Sequence, residues 1–75
     1  MSEEKFQVEL FFENGGQHGP YLFGENECKR LIRDFQYFCQ EGKPTTANYE
    51  CSFNKKDYEL TLTFKCLMYI SKCKL

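Results

Sequence analysis

The segment that decides the fold is 25–41, ENECKRLIRDFQYFCQE. On a 3.6-residue period, Cys28, Leu31, Ile32, Phe35, Phe38 and Cys39 fall on one stripe about a third of the circumference wide, so the segment predicts an amphipathic helix with that stripe buried. Its start is marked by Gly24 as the residue before the first turn, with Glu25 and Glu27 placed where the helix dipole favours acids; Asn26 is the competing cap. Its end is marked by Gly42, suited to a left-handed residue, and by Pro44, which cannot continue a helix. The opposite face carries Lys29, Arg30, Arg33, Gln36, Tyr37 and Gln40, a small basic strip with one aromatic.

Strand patterns flank this helix on both sides. Residues 5–13 alternate, with Phe6, Val8, Leu10 and Phe12 on one side and Gln7, Glu9, Phe11 and Glu13 on the other, which is the pattern of a half-buried strand. Residues 14–20, NGGQHGP, read as a turn-rich connection. A short second strand at 21–23 follows, and Pro20, lacking an N–H, predicts that it lies at a sheet edge. The Gly-rich stretch lacks the strand-to-helix context and the Lys and Ser/Thr of a phosphate-binding loop, so a hairpin turn is the expected reading.

Beyond the helix, 47–53 alternates Tyr49, Cys51 and Phe53 against Asn48, Glu50 and Ser52. Residues 54–57, NKKD, read as a four-residue hairpin turn of type I. Residues 58–70 then show the longest alternation in the chain. Tyr58, Leu60, Leu62, Phe64, Cys66, Met68 and Ile70 lie on one side; Glu59, Thr61, Thr63, Lys65, Leu67 and Tyr69 lie on the other. Thirteen residues exceed an ordinary strand, so a bend or bulge is expected near 66–68. Residues 71–75 are either an extension of that strand or a frayed end, and fraying is also expected at 1–4.

The expected class is α+β, a four-stranded β-β-α-β-β sheet with one helix on one face, forming a single domain over residues 1–75. The helical crossover and the edge position of the second strand favour the order 2-1-4-3, with the first and fourth strands central and parallel. That is a β-grasp-like order, offered as a topological analogy only, with a ferredoxin-like or meander arrangement as the alternative. The sequence ends Lys-Leu, not in the Gly-Gly of a conjugated ubiquitin-like modifier.

Composition bounds the function. Eight Phe and five Tyr supply large apolar side chains to a 75-residue chain, while ten Lys and Arg against eleven Asp and Glu leave a formal charge of −1. A single core of this size supplies only about 3–5 kcal/mol. The balanced charge disfavours both a polyanion mimic and a strongly basic nucleic-acid binder. An odd number of cysteines without close pairing, behind a polar N-terminus, predicts reduced thiols in an intracellular, cytoplasmic setting. Four of them, Cys28, Cys39, Cys51 and Cys66, occupy expected core positions. No run approaches the roughly 20 apolar residues of a membrane span.

No catalytic set assembles. His18 has no evident orienting partner for a Cys-His dyad. The cysteines lack zinc-ligand spacing, so neither metal nor cofactor is expected. Glu9 with Glu13, and Glu50 with Glu59, can share a sheet face, but nothing in the pattern buries them. The chain is expected not to be an enzyme.

What the pattern leaves over is apolar. Phe11, Leu67, Tyr69 and Leu22 fall on the face the helix does not cover, and such a patch marks a protein partner or self-association. The first expectation is therefore a non-catalytic protein-binding module, such as a small inhibitor or accessory subunit docking on a larger complex. A chain of this kind also suits a mobile genetic element or virus. The alternatives are a homodimeric structural protein, and a nucleic-acid binder using Lys29, Arg30, Arg33 and Tyr37.

Overall fold

The computed structural model describes residues 4–75. The chain is α+β, with one helix and a five-stranded antiparallel sheet. In chain order the elements are β1 (Lys5–Phe12), β2 (Gln17–Gly24), α1 (Glu25–Glu41), β3 (Thr46–Phe53), β4 (Lys56–Thr63) and β5 (Leu67–Lys74). The sheet order is β4-β3-β2-β1-β5. The fraying expected at residues 1–3 lies outside the described residues. At the other end, 71–74 extend β5 alongside β1.

The helix starts and stops where its glycines place it. Gly24 is extended (φ −70°, ψ 164°), and Gly42 is left-handed (φ 79°), its N–H donating to Phe38 O at 2.9 Å. Cys28 and Leu31 are buried; Phe35 and Phe38 pack on the core, and both rings lie near Phe64, at 6.1 and 5.8 Å. Cys39 is exposed, because the stripe's last turn runs past the edge of the core. The sheet contributes Val8, Leu10, Tyr21, Phe23, Tyr49, Leu60, Leu62 and Leu67 to that core.

Four features differ from the sequence reading, each for a local reason. The hairpin at 53–56 is tighter than expected: Phe53 pairs with Lys56, and both Asn54 (φ 54°) and Lys55 (φ 66°) are left-handed, which is the two-residue type I′ geometry that matches strand twist. β2 lies in the interior of the sheet and runs longer than 21–23. Pro20 is tolerated there for two reasons. The β1–β2 register shifts between Val8 and Leu10, and β3 meets β2 in register only at Leu22 and Ser52. Gly19 makes the close passage: its φ is +117°, and a Cβ there would come within 2.9 Å of Val8 O.

The third difference is the long alternating segment, which is two strands. β4 and β5 flank opposite sides of the sheet, yet only residues 64–66 separate them. Four Cα steps reach at most about 14 Å, whereas four strand spacings of a flat sheet span about 19 Å. The sheet must therefore curl until its ends approach. Three hydrogen bonds fasten the join: Phe64 N–H to Thr45 O (3.0 Å), Leu67 N–H to Phe64 O (3.0 Å) and Glu13 N–H to Cys66 O (2.8 Å). Phe64 is fully buried under the helix, while Cys66 turns outward.

The fourth follows from it. The fourth strand of the expected 2-1-4-3 order is split, and only its second half, β5, lies beside β1, antiparallel to it rather than parallel. β3 takes the place beside β2 instead.

Where β2 gives way to the helix, β3 loses its strand partner on that side. Glu27 and Arg30 of the first helical turns fill the gap: Glu27 Oε2 accepts from Glu50 N–H at 2.8 Å, and the Arg30 guanidinium donates to Asn48 O. Side chains thus satisfy backbone groups that a neighbouring strand would otherwise pair.

Candidate functional site

Alternation along β1 sends Gln7, Glu9 and Phe11 to the side away from the helix, and the β1–β5 register sets Tyr69 directly opposite Phe11. Their rings stack at 4.5 Å with 13° between planes. Such cross-strand aromatic pairs add roughly 0.2–1 kcal/mol to a sheet. Phe11 is half-buried by this contact, whereas Tyr69 keeps 52% of its surface exposed. Glu9 borders the pair, held by a hydrogen bond from the Gln17 side-chain amide.

Of the four side chains the sequence assigns to this patch, two meet. Leu67 does not: the β1–β5 register shifts between Phe11 and Phe12, and the irregularity turns Leu67 into the core, 7% exposed. Its neighbour Met68 takes the outward place at 56% exposure, although its alternation assigned it inward. Leu22 shares the outer face, but it pairs with Gln7. Gln7 and Phe11 are four residues apart along β1, about 13 Å, so Leu22 stands apart from the stack. It lines a separate shallow depression of about 170 Å³ with Gln7, Pro20, Ser52 and Lys55.

The helix exterior has a different character. Lys29 Nζ lies 3.8 Å from Glu25, Arg30 Nε 3.2 Å from Glu27, and Arg33 Nε 3.9 Å from Asp34. Three cations on the helix thus sit beside three acids of the same helix. Arg30 also leans over the Tyr49 ring, 4.7 Å from its centroid, and so faces the sheet instead of belonging to a free outer strip. Tyr37 is exposed and lines a depression of about 240 Å³ with Arg33, Gln36 and Gln40.

Tyr49 joins the two layers. Its hydroxyl donates to Asp34 Oδ2 at 2.7 Å while its ring is buried. Burial first, then the Asp34 hydrogen bond and charge, hold the phenol well above its ordinary range. Burial likewise raises the Cys28 thiol, and burial followed by the Glu27 charge pushes Cys51 up to about 11. Raised thiols stay protonated near neutral pH and are poor nucleophiles. The other three, Cys39, Cys66 and Cys73, are exposed; among them Cys39 and Cys66 depart from the core positions their spacing assigned.

His18 lies within β2 rather than a loop, exposed and edge-on to Phe12 at 5.1 Å. Glu50 and Glu59 face one another in register and, with Cys51, Asp57 and Tyr58, line a depression of about 390 Å³. Like charges directly opposite weaken a strand pair. Among the described residues no group of three His, Cys, Asp or Glu is placed to hold a metal ion, and no helix is long and apolar enough to cross a membrane.

Comparison of the chain with known protein families, with curated proteins and with solved structures finds no match.

Proposed function

We propose that this chain is a non-catalytic protein-binding module that docks on a larger partner through the helix-free face of its sheet. The observation that carries the reading is the Phe11–Tyr69 stack, a large aromatic surface on the side of the sheet that has no second layer. The helix supports the same reading by contrast. Its cations lie beside acids of its own chain, which lessens the field available to steer a polyanion. A role as a small inhibitor or accessory subunit fits a chain of this size with one uncovered aromatic face.

The test is capture from cell extract with three baits run side by side: the native chain, Phe11→Asp and Arg33→Glu. The expected result is a set of captured proteins that resists high salt, survives Arg33→Glu and is lost with Phe11→Asp. Capture lost with Arg33→Glu and falling steeply with salt overturns the reading in favour of an anionic partner on the helix.

A further inference from the structure

We infer that Asn14 is a site of spontaneous covalent modification, at which the backbone nitrogen of Gly15 closes on the side-chain amide, expels ammonia and leaves an aspartyl or isoaspartyl residue. The site stands whatever partner the sheet takes. Asparagine is a thermolabile side chain, and the β1–β2 connection sets this one beside its nucleophile. Asn14 and Gly15 are adjacent and both exposed. Gly15 has no β-carbon to shield its nitrogen; its φ is +84°, and the β-carbon position has no heavy atom within 4 Å, so that side of the turn is open. Asn14 Oδ1 accepts from Gly16 N–H at 2.8 Å, which folds the side chain back along the main chain and closes a ring containing the Gly15 amide.

The chain has three other asparagines, and none has this setting. Asn26 lies in α1 and precedes Glu27. Asn48 lies in β3, precedes Tyr49, and its Oδ1 accepts from the Thr61 hydroxyl at 2.9 Å. Asn54 sits in an exposed turn, but it precedes Lys55, whose side chain crowds the nitrogen that would attack.

Gly15 N–H donates to Phe12 O at 3.0 Å, so the turn must first open there. Solvent base removes the amide proton, and the freed electron pair forms a bond from Gly15 N to Asn14 Cγ. The Cγ–Nδ2 bond breaks, and Nδ2 leaves with a solvent proton as ammonia. The resulting succinimide takes up one water. Cleavage at the former side-chain carbonyl gives aspartate; cleavage at the main-chain carbonyl gives isoaspartate, whose backbone is one carbon longer. Both products add a carboxylate beside Glu13. The longer backbone also displaces Gly16 O from Phe12 N–H, the 2.9 Å bond that closes the hairpin next to Phe11.

The test is peptide mass spectrometry of the full chain, incubated at physiological temperature from neutral to mildly alkaline pH and read against an unincubated sample. Isoaspartate is counted by enzymatic methyl transfer to its carboxylate. The Asn14 peptide is expected to shift from amide to acid mass with time, and faster as pH rises, while the peptides carrying Asn26, Asn48 and Asn54 keep their amides. Asn14→Gln is expected to lose the conversion, because the longer side chain has to close a larger ring. Circular dichroism of that variant verifies that the fold is retained. Conversion confined to Asn14 and lost in Asn14→Gln supports the site. An Asn14 peptide converted no further than in the unincubated sample, or conversion shared equally with Asn54, overturns it.

Discussion

The two outward surfaces of this small domain solve different problems. On the helix, Glu25, Glu27 and Asp34 stand beside Lys29, Arg30 and Arg33, so charge is answered within one element. On the sheet, Phe11 and Tyr69 answer only one another, and Tyr69 remains half exposed. Exposed ion pairs on a helix contribute little to stability and are interchangeable. An exposed aromatic stack excludes water incompletely and gains from being covered. What distinguishes the two is whether the side chains have already found partners.

The sharpest way to break this comparison uses two residues on one strand. Leu67 and Tyr69 carry the same parity in sequence, but Leu67 is buried and Tyr69 is not. Leu67→Ala is expected to lower the unfolding free energy by about 2–4 kcal/mol, as for other buried leucines. Chemical denaturation checks it, and a loss below about 1 kcal/mol places Leu67 outside the core. Next in size is Gly19→Ala, expected to cost about 1–3 kcal/mol, because the new methyl meets Val8 O at a positive φ that only glycine adopts freely.

Tyr49→Phe tests how firmly the helix is held to the sheet. It removes the hydroxyl that donates to Asp34, and an expected loss of about 1 kcal/mol in thermal or urea unfolding follows. The comparable removal on the helix exterior, Lys29→Ala, is expected to stay within about 0.5 kcal/mol.

The alkaline limb of stability sharpens the same contrast between buried and surface groups. Cys51 is raised from 9.0 to about 11, so its folded form favours the neutral thiol. The unfolded chain ionises first. The stability associated with the neutral thiol is complete below about pH 9 and falls as pH rises from there through about 11. Cys51→Ala is expected to flatten that limb, as read from urea midpoints between pH 8 and 11. An unchanged slope contradicts burial of the thiol. Opposite in sign, Lys55→Gly relieves a left-handed lysine in the type I′ turn and is expected to add about 1 kcal/mol or less.

The helix was legible because its stops are chemical: Gly24 and Gly42 bound it, and the apolar stripe assigns its inner face. β1 and β3 were legible from strict alternation. The division between β4 and β5 was not, since Phe64, Lys65 and Cys66 include no glycine, proline or asparagine, and Phe64 keeps the apolar period by burying itself under Phe35 and Phe38. That hidden turn carries the other errors with it. It moves β5 to the far side of β1, leaves β3 between β4 and β2, and turns Cys66 outward. Half of the outer patch survived because register, which a bulge shifts by one residue, holds at Phe11 and Tyr69 and slips only at Leu67. The sequence reading left Lys29, Arg30 and Arg33 as a basic strip, although the spacing of Glu25 with Lys29, four apart, and of Glu27 with Arg30, three apart, carries two of their three pairings.

The central claim is that the Phe11–Tyr69 face serves binding rather than folding. The most direct measurement takes unfolding free energy and partner capture on the same preparation of Tyr69→Asp. The expected result is stability within about 1 kcal/mol of the native chain together with loss of the salt-resistant association. A variant that unfolds in parallel with its loss of binding, or one that binds as the native chain does, contradicts it.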